Sequence, residues 1–166
     1  LSDEMKEGEV HIPLLISKFK TLAMASVATS AYEAFDLGYL QYQRDTVSIH
    51  GSTHIFKAKQ KVLQLANGYV AKQPRTDVNV LGRSGLGPLY AAAHTLKLGN
   101  YASEHDIKIA KKMAYVLCGG DLSYPQKVSE QYLLDLEREA FLSLCTEPKT
   151  LERIQYLLEN NKTLRN

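Results

Sequence analysis

Apolar residues recur at threes and fours along much of the chain, the spacing of one face of a helix. From Ile12 to Val27 the residues Leu15, Ile16, Phe19, Leu22, Ala23 and Val27 keep this period and predict a first helix. Ser30 stands three residues before Glu33 in a capping-box arrangement, and Gly38 follows Leu37 as a stop, so a short second helix is expected between them. Thr46-Val47-Ser48-Ile49 has the composition of a short strand. Ser52 or Thr53 opens a third helix with Ile55, Ala58, Val62, Leu65 and Ala66 on one side, and Asn67-Gly68 closes it.

Residues 69–88 break the pattern, with Pro74, Gly82, Gly85, Gly87 and Pro88 around a short strand expected at Val78-Asn79-Val80-Leu81. Helical periodicity then returns over about 88–98, 104–117, 128–145 and 149–159. Ser103 with Asp106, and Thr146 ahead of Pro148, supply start signals, while Gly99 and Gly119-Gly120 supply stops. The predicted fold is mainly α, with six to seven helices and at most a few short strands. The expected organisation is a flexible edge at 1–11, a first segment at 12–68, a linker at 69–88 and a C-terminal helical module at 89–166.

Composition narrows the partners more than the chemistry. The 166 residues are 45% hydrophobic and 23% charged, enough to bury a core. Twenty basic and 18 acidic residues are interspersed for a net charge of +2, without the basic field of a nucleic-acid binder. No apolar run approaches the roughly 20 residues of a membrane span. Two cysteines, Cys118 and Cys145, with no CxxC pair and no signal-like N-terminus, lead to the expectation of a cytoplasmic protein. The start Leu1-Ser2-Asp3-Glu4 has no initiator methionine, which leads to the expectation of a piece cut from a longer polypeptide.

Several constellations invite a chemical reading, each with a plainer one beside it. Gly82-Arg83-Ser84-Gly85-Leu86-Gly87 lies between a strand and a helix, where backbone amides can cradle a phosphate beside Arg83. Its order is GxxGxG rather than GxGxxG, and the downstream residues read as helix rather than a second strand, so an ordinary turn is favoured. Glu104, His105, Asp106 and Asp121 are metal-ligand types, but adjacent helical residues diverge by about 100° and acidic groups suit a helix start anyway. Cys118 falls at a helix C-terminus, where the dipole raises a thiol pKa, so a buried structural cysteine is expected. Glu130, Asp135, Glu137, Arg138 and Glu139 form a charge run opposite the apolar stripe Leu133, Leu136, Ala140 and Leu144, the pattern of a solvated helix face.

Longer phrases point to a family. Thr29-Ser30-Ala31-Tyr32-Glu33-Ala34 with Gly38-Tyr39-Leu40 resembles the segment that follows the catalytic region in enoyl-CoA hydratases of the crotonase superfamily. Val80-Leu81-Gly82-Arg83, Ser103-Glu104-His105-Asp106, the run from Ala114 to Ser123, and the run from Leu134 to Phe141 are more specific. They resemble the C-terminal part of bacterial fatty-acid β-oxidation proteins that join a 3-hydroxyacyl-CoA dehydrogenase to an enoyl-CoA hydratase-like domain. The resemblance runs from about Ile12 to Asn166, and includes a closing helix and a tail that in the family reads Gly-Lys-Pro-Leu-Arg-Asn. Here Asn161 and Thr163 stand in place of the glycine and the proline.

The resemblance implies a parent that uses NAD and acyl-CoA, with this part framing the acyl-CoA site or making subunit contacts. Hydration would need oxyanion-binding amides and glutamates, and the dehydrogenase a GxGxxG turn with a His/Glu pair; the matched segment supplies none of these sets. The expected partners are therefore the upstream dehydrogenase and hydratase domains, acyl-CoA and, through bare apolar surface, a second copy. No catalytic residue, metal ligand or bound cofactor is expected in these residues themselves. Lys162 and Arg165 are candidates for the CoA phosphates, and Arg83 for a phosphate in the glycine turn. The rival reading is a self-standing helical protein-interaction module with no acyl-CoA role.

Overall fold

The computed structural model describes residues 1–166 and contains seven α-helices with one two-stranded antiparallel sheet. Residues 1–25 together with 74–166 make one compact unit, and residues 26–73 make another. No helix is long and apolar enough to cross a membrane.

In the larger unit, α1 (Ile12–Ala23) begins with Pro13 in its first turn, where a missing amide hydrogen costs nothing. It ends four residues short of Val27, because the backbone turns left-handed at Ala25 and Val27 stays exposed. Leu15 and Phe19, four residues apart on one face, are fully buried. They meet Leu86, Leu89 and Ala93 of α4 (Arg83–Leu98), and Ile107, Ala110 and Ala114 of α5 (Glu104–Leu117), in a single core that also takes in Met5, Leu81 and Cys118. Helix α5 packs in turn on α6 (Glu130–Cys145), and α6 on α7 (Pro148–Asn160).

The sheet is small. Strand β1 (Val78–Val80) pairs with β2 (Gln126–Val128), Val78 opposite Val128 and Val80 opposite Gln126. A 3-10 turn at Ser2–Glu4 lies beside it: the Asn79 amide donates to Ser2 Oγ at 2.9 Å, and Arg75 reaches Asp3 at 2.6 Å and Asp77 at 2.9 Å. Met5 is buried here, so the first residues are tied into the unit.

Helix α4 begins five residues before the expected position. The cause is Gly82, whose positive φ of 56° turns the chain into the helix, while Ser84 Oγ donates to the Leu81 carbonyl at 2.6 Å. Pro88 then sits inside the helix near its start, where it removes one hydrogen bond without ending the element.

The smaller unit holds α2 (Ala31–Asp36) and α3 (His54–Ala66). Ser30 Oγ accepts from the Glu33 amide at 3.1 Å, while the Glu33 carboxylate accepts from the amide and hydroxyl of Thr29. Phe35, buried, stacks on Tyr42 with ring centres 4.2 Å apart, and Tyr39 donates to the Ser26 carbonyl. The strand expected at Thr46–Ile49 is absent, since no other strand lies in this unit to pair with it. No residue of α3 is buried within the unit.

Candidate functional site

A hydrogen-bonded polar cluster of the larger unit lies where the start of α5, the middle of α7 and the tail after Asn160 meet. It begins with a local event: Ser103 Oγ accepts from the Asp106 amide at 3.1 Å and Asp106 Oδ2 accepts from the Ser103 amide at 2.8 Å, a reciprocal cap. The cap leaves Asp106 Oδ1 free to accept from Arg153 Nη1 at 2.7 Å. Arg153 also donates through Nε to Asn166 Oδ1 at 2.7 Å and through Nη2 to the Asn166 carbonyl at 3.2 Å. The Asn166 amide donates back to α7, to the Glu152 carboxylate and the Lys149 carbonyl, so the tail folds along the helix it leaves. Asn161, left-handed at φ 52°, makes the reversal.

Both charges of the central pair are largely shielded, with side-chain exposures of 17% for Arg153 and 22% for Asp106. Burial pushes the Asp106 carboxyl up, but the Ser103 amide, the Arg153 guanidinium and the Ser103 hydroxyl outweigh it and hold the group below its ordinary value. Beside it, His105 is buried and its Nε2 lies 2.9 Å from Thr150 Oγ1. Burial, then the positive field of Arg153, lowers the His105 pKa and favours the neutral ring, against the opposing pull of Glu147.

Next to the cluster runs a groove of about 340 Å³ whose walls come from α1, α5, α7 and the tail, among them Leu22, Met113, Leu157, Leu164 and Arg165. A second groove of about 790 Å³ between α5 and α6 shares Leu22, Ile109 and Met113 with it and continues to Leu134 and Phe141. Arg165 is exposed on the wall of the first groove, Lys162 is exposed near the turn at Asn161, and neither is in an ion pair. The tail thus places Arg165, but not Lys162, at the groove.

The remaining residues singled out from the sequence fall elsewhere. Arg83 is exposed and bound through both Nε and Nη2 to Asp121, at 2.6 and 2.7 Å. In the turn before it, the Gly82 and Arg83 amides donate to the Cys118 and Leu122 carbonyls, each at 2.8 Å. A Cβ on Gly82 would collide with the Leu122 oxygen, and one on Gly85 would stand 2.9 Å from Cys118 Sγ. Both glycines therefore let the α4 start pack against the end of α5 and the loop after it, and the Gly82 and Arg83 amides are already engaged there. His105, Asp106 and Asp121 do not converge, and no three histidine, cysteine or acidic side chains form a metal-holding group. Burial pushes the Cys118 thiol up to about 11, which leaves it protonated and inert at neutral pH. In the charge run, Arg138 Nη1 donates to Asp135 at 3.1 Å on the exposed side of α6.

Arg153 and Asn166, which organise the cluster, do not stand out in the sequence. A usable signal is nonetheless present: Arg153 shares a helical stripe with Thr150, Ile154 and Leu157, and a charge on the apolar side of an amphipathic helix needs a partner.

The site defines a helical frame with grooves, organised around the Asp106–Arg153 pair. Over 164 residues, 99% of its length, the chain is 38% identical to a protein of Bacillus subtilis (strain 168) described as "Probable 3-hydroxyacyl-CoA dehydrogenase". The chain spans only 21% of that protein's length, so it is a homologue of a part of it. No family model matches the chain. No solved structure matches it.

Proposed function

We propose that this chain is the C-terminal helical part of an NAD-dependent 3-hydroxyacyl-CoA dehydrogenase that also carries an enoyl-CoA hydratase-like domain and acts in fatty-acid β-oxidation. In this reading the 166 residues frame the acyl-CoA site or the subunit contacts, and the reacting groups are contributed by polypeptide outside them. The carrying observation is the match itself: 38% identity sustained over 99% of the chain against 21% of a far longer dehydrogenase-like protein. A generic helical module would not keep 38% identity to part of such a protein over 99% of its own length. The crotonase-like phrases around Thr29–Leu40 support the hydratase-like portion, and the cytoplasm is the compartment such an enzyme would occupy.

Within the frame, Lys162 and Arg165 are the proposed contacts for CoA phosphates, since both are exposed cations free of ion pairs on a tail whose course Arg153 fixes. Arg83 is already held by Asp121 and is a weaker claimant. NAD belongs to the parent and none of the residues here would hold it. The test is reduction of NAD by 3-hydroxyacyl-CoA, monitored by NADH absorbance. The 166-residue chain should show none, the longer polypeptide that carries it should turn over, and loss of these residues should impair it. Turnover by the isolated chain, abolished by changing one of its own residues, would overturn the proposal.

A further inference from the structure

The two grooves along α5 share Leu22, Ile109 and Met113, so they form one apolar track that runs from the tail to Phe141 on α6. Ile109, Met113 and Val116 supply its floor at intervals of four and three, one stripe of α5 turned away from the buried stripe of Ile107, Ala110 and Ala114. Leu22, Leu134 and Phe141 on its walls are 42%, 46% and 55% exposed, a large apolar opening for one protein surface to leave wet. At its rim, Lys112 and Glu137 are charges of opposite sign with no ion-pair partner.

We infer that this track is an intramolecular docking groove, filled by an amphipathic helix from the part of the longer polypeptide that lies outside these 166 residues. The inference rests on the proposed function, and specifically on this chain matching 21% of a longer protein along its entire length. A track walled by the apolar side chains of α1, α5 and α6 takes the apolar stripe of one more helix, in the helix-in-groove manner. The incoming helix places an acidic residue against Lys112 and a basic one against Glu137, which fixes its direction.

Hydrogen exchange on the longer polypeptide tests this against the 166-residue chain alone. Amides of α5 and α6 are expected to exchange at least about tenfold more slowly in the longer protein. Phe141→Glu, an exposed change that spares the core, is expected to return them toward the isolated-chain rate, while the melting temperature of the 166-residue chain stays unchanged. Equal exchange in both proteins overturns the inference. So does concentration-dependent dimerisation of the short chain that gives the same protection, since the occupant is then a second copy. Failure of the proposed function reads differently, as absence of NAD reduction by a longer protein in which the protection is still measured.

Discussion

Asp106 performs two jobs at once, and its removal separates them. Replaced by alanine, it loses the carboxylate half of the reciprocal cap, the acceptor for the Ser103 amide, while Ser103 Oγ still caps the residue-106 amide; the lost bond is worth about 0.5–1.5 kcal/mol. It also leaves Arg153 without an anion at a site where the guanidinium is only 17% exposed, and a hydrogen bond between charged groups contributes roughly 1.5–3 kcal/mol. The pair retains some contact with solvent and Arg153 keeps its bonds to Asn166, so the sum is discounted to about 2–4 kcal/mol. Urea unfolding followed by far-UV circular dichroism measures it directly. Asp106→Asn keeps an acceptor for the Ser103 amide and removes the charge, so about half the loss is expected. In a cycle with Arg153→Met the coupling should be about 1–2 kcal/mol. A coupling below about 0.5 kcal/mol would show that the pair is ornamental and that the tail is held by something else.

The same group gives the chain an acid limb with a defined sign. The Asp106 carboxyl is depressed in the folded state below its ordinary 3.8, so the folded chain binds fewer protons than the unfolded one as that range is approached. Its stabilisation is fully present above the unfolded value and is lost as pH falls through the lower folded value. His105 acts in a higher window: buried and neutral, it resists protonation while the unfolded chain takes up a proton near 6.5. Stability should therefore begin to fall below about pH 6.5 and fall again below about pH 4, and His105→Gln should remove the first step only.

Three further outcomes come from the packing and the tail. Thr150→Val leaves the His105 Nε2 without its partner in a buried site and should cost about 1–3 kcal/mol in urea unfolding. Gly85→Ala forces a methyl against Cys118 Sγ, Leu15 and Leu81, each within about 3.0 Å, and should cost about 1–3 kcal/mol with no change in the circular dichroism shape. In the longer protein, Lys162→Ala should raise KM for acyl-CoA with kcat nearly unchanged, an effect that shrinks for a substrate lacking the 3′-phosphate; equal kinetics would make the tail a structural clasp only.

How far the sequence disclosed all this depends on the range of the interaction concerned. Helices α1, α5, α6 and α7 were legible because their signals are local: an apolar period throughout, Ser103 at the cap of α5, Pro148 in the first turn of α7. The strand at 78–80 was readable, but its partner Gln126–Val128 has only one apolar residue and owes its extended state to pairing with a segment distant in the chain, so it carried no signal of its own. Pro88 misplaced the start of α4, because a proline that usually opens a helix here lies inside one already begun by the turn at Gly82. The strand expected at Thr46–Ile49 failed for the converse reason: a suitable composition met no neighbour.

The polar cluster shows the same division at the level of single side chains. Ser103 and Asp106 could be paired from sequence alone, since a capping box closes within four residues. Arg153 lies 47 residues from Asp106, and only the packing of α5 near α7 makes them meet. Once they do, the roles of their neighbours are set. The cap orients Asp106, Asp106 and Asn166 hold the guanidinium from two sides, and the clasped tail carries Leu164 and Arg165 to the wall of the groove. The residues that looked most chemical in the sequence, Cys118 and His105, are buried within the frame, while the cations free to meet a phosphate lie on the segment that the frame positions.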